Sequence, residues 1–139
     1  MTFNHILVTT DFSVGAEAAI PAVVELANRL SVRVTALHVV HTIAIRPVGA
    51  ALAPPLSMPI DADALALARR RLPDWVQERF GSVEVACVTA VGTDIADTIA
   101  AQAKLLSVDL VVMSTHGRTG LESFFLGSVT ERVLKRATV

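Results

Sequence analysis

The chain has 139 residues, 53% hydrophobic and 18% charged, a balance that supplies one globular domain with its own core and excludes a disordered chain or one needing disulfide or metal staples. Twelve basic and 13 acidic residues leave a net charge of −1, so there is no broad basic field for nucleic acid. Apolar runs such as residues 109–113 fall far short of the ~20 residues of a membrane span, and no N-terminal signal pattern is seen; a cytoplasmic protein without a membrane partner is expected.

Residues 4–10 form a β-branched run that ends in the turn-prone Asp11-Phe12-Ser13, a strand followed by a helix start. Ala16, Ala19, Ile20, Val23, Val24, Ala27 and Leu30 then recur as one helical stripe, in which Pro21 predicts a bend. Residues 32–40 alternate as a second strand with His38 as a core histidine. From 41 to 60 the pattern disappears and Pro47, Pro54, Pro55 and Pro59 gather in a long loop, expected to act as a flap or to be merely mobile. Asp61 caps a helix running toward Phe80, with Pro73 dividing it and Gly81 suited to the left-handed residue beyond its end. The run Arg69-Arg70-Arg71 is expected on the solvated face of that helix.

Residues 83–91 make a third strand, where alternation places Cys87 as a buried structural thiol. Gly92 turns the chain, Thr93 or Asp94 caps, and Ile95, Ile99, Ala103 and Leu106 mark the next helical face. Residues 108–113, apolar on both faces, are expected as a central fourth strand; a loop over 114–126 and a helix from Ser128 to about Arg136 follow. Strands alternating with helices predict a single α/β domain over 1–139, an open doubly wound parallel sheet with helices on both faces.

In such a sheet ligands bind beyond the carboxyl ends of the strands where the winding reverses. Two loops there carry chemistry: Thr9-Thr10-Asp11-Phe12-Ser13 after the first strand, and the segment from Ser114 through His116, Gly117, Arg118 and Gly120 to Gly127-Ser128 after the fourth. Gly117, Gly120 and Gly127 fall within eleven residues that also hold Thr119 and Ser123. Glycines let backbone N–H groups approach an anion, hydroxyls add donors, and a helix N-terminus adds unsatisfied N–H groups at its positive end. Arg118 would add a full charge and His116 an orienting donor. The bland alternative is a glycine turn followed by a serine cap. Asp11 is either a turn residue or an acceptor for ribose hydroxyls.

Other templates fail on the same residues. There is no G-x-x-x-x-G-K-[ST], no G-x-G-x-x-G after the first strand and no G-x-S-x-G elbow. Gly117 and Gly120 have the G-x-x-G spacing of a nucleic-acid clamp, but the charge is wrong and no Tyr is present for stacking. His5, His38, His41 and His116 lack metal-ligand spacing.

Five blocks carry a family resemblance: ILVTTDFS at 6–13, LHV at 37–39, VG at 91–92, DLVVMSTHGRTG at 109–120 and LGSVTERV at 126–133. Along essentially its whole length the chain resembles the universal stress protein family. That resemblance implies a five-stranded sheet of order 3-2-1-4-5, commonly a homodimer, with one branch that binds ATP. The ATP-binding motif is similar to G-x2-G-x9-G-[ST]; Gly117 and Gly127-Ser128 match it, whereas Ser114 stands at the first glycine. By the same resemblance Asp11 is the carboxylate at the ribose or adenine edge, Val39 the residue whose backbone reads adenine, and Val129 part of the helix end at the phosphates. Thr9 stands where ATP-binding relatives often carry proline.

The resemblance thus implies a stress-response, nucleotide-binding regulatory protein of the ATP-binding branch. A slow ATPase or phosphate-transfer protein, which would need Mg²⁺, and a nucleotide-free dimeric scaffold are the alternatives. Gly127→Val is expected to abolish binding without unfolding the domain. Relatives usually add a fifth strand after the last helix, whereas this chain stops at Ala137-Thr138-Val139. A four-stranded 3-2-1-4 sheet with one edge open is therefore expected, which puts the usual dimer pairing in question.

Overall fold

The computed structural model describes residues 3–45, 48–49, 52, 54–57, 59–115 and 127–137. His116, Gly117, Arg118 and the rest of the glycine-rich loop up to residue 126 lie outside the described residues. Eleven elements follow in chain order: β1 (His5–Thr9), α1 (Val14–Glu17), α2 (Ile20–Leu30), β2 (Arg33–His41), β3 (Ala44–Ile45), β4 (Leu56–Ser57), α3 (Ala62–Arg79), β5 (Val85–Gly92), α4 (Ile95–Leu105), β6 (Leu110–Val112) and α5 (Ser128–Arg136).

The main sheet has the order β5-β2-β1-β6, all parallel, which in sequence terms is the expected 3-2-1-4. The central strand β1 pairs His5 with Arg33 on one side and Ile6 with Leu110 on the other. Its alternating side chains feed two cores. Ile6 and Val8 pack with Val23 of α2 and Leu72, Trp75 and Phe80 of α3 or its end. Leu7 packs on the opposite face with Ala96, Ile99 and Ala103 of α4 and Val133 of α5. Right-handed crossovers require this split, because the chain adds β2 and β5 on one side of β1 and β6 on the other.

Several local expectations are corrected. Pro21 does not bend one long helix; the stripe is two helices, with Pro21 in the first turn of α2, where its missing N–H would have had no intrahelical partner. Pro73 does not divide α3, which runs unbroken for 18 residues. Buried Leu72, Trp75 and Val76 surround Pro73 and hold the helix against the sheet despite the lost hydrogen bond. The 41–60 stretch is not patternless: Ala44 and Ile45 pair antiparallel with Ser57 and Leu56. Segment 108–113 is not central, since among the described residues β6 pairs only with β1, and its strand shrinks to three half-buried residues.

Cys87 is likewise not buried. It is exposed on β5, which among the described residues is an edge strand paired with β2 alone, although partial burial still pushes its thiol above the ordinary value. Gly92 is the last residue of β5 rather than a turn; a Cβ there would run into the Thr98 hydroxyl, so glycine lets the first turns of α4 lie close to the strand with Thr98 in its present rotamer.

Other expectations hold. Asp61 caps α3 by accepting from the N–H groups of Asp63 and Ala64, and Gly81 follows the helix at φ +59°. Of Thr93 and Asp94, the cap of α4 is Asp94. Its carboxylate accepts from the Asp97 N–H and pairs with Arg132 at 2.9 Å and Arg136 at 3.3 Å, tying α4 to α5. The Asp97 N–H is the chief cause that holds the Asp94 carboxyl below the usual range; burial opposes it, and Arg132, Arg136 and the Ala96 N–H add to the lowering.

Candidate functional site

The winding reverses between β1 and β6, and beyond their carboxyl ends lies a cavity of about 640 Å³. That volume falls in the ordinary range for small-molecule sites. Two segments form its polar walls: residues 9–11 after β1, and Ser114 and Thr115 together with the start of α5. Leu37, Val39, Ile95, Ile99 and Met113 supply the apolar wall.

The β1 loop is held tightly. Thr10 N–H donates to Leu37 O at 2.9 Å, and His38 Nδ1–H donates to Thr10 O at 2.8 Å. Ser13 caps α1 by accepting from the Ala16 N–H. Both the N–H and the hydroxyl of Ser13 donate to Asp11 Oδ1. Oδ2 of Asp11 has no hydrogen-bond partner among the described residues, and Asp11 is the single carboxylate on the described cavity wall. Phe12 adopts φ 63°, a left-handed conformation that costs a non-glycine residue about 1–2 kcal/mol.

The opposite wall is a helix start. α5 has Gly127 as its N-cap residue with no capping side chain, and its first ladder bond runs from Glu131 N–H to Gly127 O. The N–H groups of Ser128, Val129 and Thr130 therefore precede the intrahelical ladder, at the positive end of the helix dipole. Thr130 Oγ1 donates to Ser114 O at 3.0 Å, and the Gly127 N–H donates to Thr115 O at 3.0 Å, so the helix start is stitched to the end of the β6 segment.

This stitching changes the reading of Gly127. A Cβ there would lie 2.9 Å from the backbone oxygen of Thr115, so glycine is required by the close approach of the two segments. Gly127→Val would displace Ser114 and Thr115 as well as any anion, and does not isolate a phosphate contact. Ser128 is the first helical residue and not the cap.

Of the residues singled out from the sequence, Asp11, Val39, Ser114, Gly127, Ser128 and Val129 line this one cavity. His38, read as a core histidine, is half-buried and lines it too. Sequence reasoning missed His41, Thr130 and Met113. A strand-end histidine and a hydroxyl in the first turn of a helix are weak signals, and only the convergence of β2, β6 and α5 makes them neighbours. Ile95 and Ile99, read as a helix's core face, also serve as cavity wall. Among the described residues no cluster of His, Cys, Asp or Glu could hold a metal ion, and no helix is long and apolar enough to cross a membrane.

A doubly wound parallel sheet with a cavity at its switch point, lined by a carboxylate and a helix N-terminus, defines the class as an open α/β protein of the kind that carries its sites beyond the strand ends. Residues 2–139 match the universal stress protein family, and the chain belongs to it. It is 52% identical over 42 residues to universal stress protein MJ0531 of Methanocaldococcus jannaschii, a match that covers 30% of this chain and 25% of that protein. The matched segment thus spans about a quarter of that relative's length. The structure of MJ0577 from the same organism superimposes with a TM-score of 0.66 at 26% identity, covering 99% of this chain and 92% of the other. A universal stress protein in complex with cAMP superimposes with a TM-score of 0.63 at 18% identity, covering 100% and 94%.

Proposed function

We propose that this chain is a nucleotide-responsive regulatory protein of the cytoplasm that binds an adenine nucleotide, ATP first among them, in the switch-point cavity. One observation carries the reading. Asp11, whose Oδ2 has no hydrogen-bond partner among the described residues, and the start of α5, with no side-chain cap, line the same cavity, an acceptor for sugar hydroxyls together with donors for phosphate. Leu37, Val39 and Met113 supply an apolar wall for a base. Ser114, Gly127, Ser128 and Val129 are the proposed phosphate-side residues, joined by His116, Gly117 and Arg118 of the intervening loop. Asp11 takes the ribose and Val39 the adenine. The cAMP complex of a relative with the same fold supports nucleotide chemistry in this architecture.

Mg²⁺ would accompany the triphosphate, neutralising charge that the described walls, with no Lys or Arg, do not. Binding has a regulatory consequence only if the nucleotide favours one arrangement of the 114–128 segment over another. A homodimer is the proposed assembly, on the ground of the chain's family membership. Sedimentation equilibrium checks it, and a monomer at all concentrations counts against it.

Equilibrium dialysis with labelled ATP, ADP and cAMP tests the binding. Saturable uptake of at least one at micromolar to low-millimolar concentration is expected, weakened in Asp11→Asn. Absence of saturable binding for all three removes the reading.

A further inference from the structure

Resting on the nucleotide reading of the cavity, we propose that Phe12 and Arg71 are positioning residues that aim the Asp11 carboxylate. Through it they would set how strongly the site selects a sugar that carries hydroxyls. Neither residue lines the cavity.

Asp11 and Phe12 are adjacent in sequence but their side chains have different surroundings. The carboxylate borders the cavity, whereas the Phe12 ring packs against the core of α2 and α3. At Phe12 the backbone leaves the extended path of β1 and turns left-handed, at φ 63°, immediately after the carboxylate-bearing residue. An aromatic residue does not hold that conformation unaided, so the surroundings must over-determine it. Four contacts do so. The Phe12 N–H donates to Thr10 Oγ1 at 2.9 Å. The ring lies 4.3 Å from the His38 imidazole, tilted by 33°, and meets Trp75 edge-on at 6.3 Å. From α3 the Arg71 guanidinium sits 4.4 Å from the ring centroid.

The ring is thus held among a cation from α3, an imidazole from β2 and an indole from the core. His38 is bonded in turn to Thr10 O, the carbonyl just before Asp11. With Thr10 and Phe12 both tied down, the remaining freedom of Asp11 is its side-chain torsion. Ser13 removes much of that by holding Oδ1 through its N–H and its hydroxyl. Arg71, expected from sequence as one of three solvated arginines, has a task that Arg69 and Arg70 do not share among the described contacts.

The test compares affinity for ATP with affinity for 2′,3′-dideoxy-ATP, by calorimetry, in the wild type and in Asp11→Asn, Phe12→Gly and Arg71→Ala. Glycine keeps the left-handed backbone accessible and deletes only the ring's hold, whereas alanine would add backbone strain. Arg71→Ala changes an exposed side chain and keeps the test valid should the glycine variant fold poorly. The wild type is expected to prefer ATP by about tenfold or more, the worth of hydrogen bonds to a charged group. That preference should collapse toward one in Asp11→Asn and in Phe12→Gly. In Arg71→Ala it should fall about two- to fivefold, the scale of one cation–π contact at an exposed site, with Arg71→Lys recovering part of it. A merely structural loosening would weaken both ligands alike and leave the ratio unmoved. An unchanged ratio in Phe12→Gly and Arg71→Ala, with collapse in Asp11→Asn, overturns the positioning role and leaves the nucleotide reading standing. A wild-type ratio near one overturns the role of Asp11 toward the sugar, and with it this inference. No saturable binding of ATP by the wild type overturns both readings.

Discussion

The two faces of the sheet are built differently, although β1 contributes to both. The α2/α3 face is filled with large side chains: Leu72, Trp75 and Phe80 pack on Ile6 and Val8, and Phe12 and Arg71 extend this cluster to the cavity rim. The α4/α5 face has no aromatic residue in its described core: Ala90, Ala96 and Ala103 pack with Leu7, Leu37, Ile99 and Val133, and the pairs of Asp94 with Arg132 and Arg136 join its helices at the surface. Both helices of the second face contribute to the cavity wall, through Ile95 and Ile99 and through Ser128 to Thr130. The difference teaches a division of labour. The aromatic face supplies the framework against which Asp11 is proposed to be aimed, and the aliphatic face supplies the helix start proposed to meet the phosphates, tied at the surface by ion pairs.

Four changes would break or sharpen this contrast. Phe80→Ala, at a residue 2% exposed in the aromatic cluster, should lower stability by about 3–5 kcal/mol, read from urea unfolding. Val133→Ala removes two buried methyl groups' worth of packing from the other face and should lower it by about 2 kcal/mol. If the order of these two losses were reversed, the assignment of the framework to the aromatic face would be wrong.

Asp94→Asn comes next, with a smaller effect that shows itself by its dependence on pH. The folded carboxyl titrates below its unfolded value, so its contribution is complete above the ordinary carboxylate pKa and is lost as pH falls through the lowered folded value. Unfolding curves of wild type and variant should therefore differ at neutral pH and converge in acid, and added salt should narrow the gap at neutral pH. A gap independent of both would mean that the ion pairs with α5 contribute nothing.

Trp75→Phe should have the weakest effect of the four. Trp75 Nε1 is buried without a hydrogen-bond partner among the described residues, so the loss of packing from a smaller ring is offset by removal of an unsatisfied donor. A change within about 1 kcal/mol of zero is expected by urea unfolding, in contrast to Phe80→Ala only a few residues away.

Much of the fold was legible because it rests on local signals. Apolar alternation marks β1 and β2, Asp61 and Gly81 bracket α3, and the alternation of strand and helix implies a parallel sheet wound from the middle. The misreadings have one cause. Pro73, Cys87 and segment 108–113 were judged by their own residue patterns, whereas their states depend on what lies beside them. Buried neighbours carry α3 through its proline, and edge position exposes Cys87 and leaves β6 with one partner among the described residues.

The candidate site divides along the same line. The sequence by itself determined the family resemblance and two loops rich in the residue types that anions and sugars require. Those features depend on composition and spacing along the chain. Only the tertiary structure brought Asp11, Val39, Ser114 and the start of α5 to one cavity, and only it gave Gly127 its reason, the carbonyl of Thr115 at 2.9 Å from any added Cβ. It alone set Phe12 between Arg71 and His38, residues drawn from different elements. Hydrophobic periodicity is a property of neighbours along the chain, whereas a binding site is a property of neighbours across it, fixed when parallel strands align their carboxyl ends and the winding reverses between them.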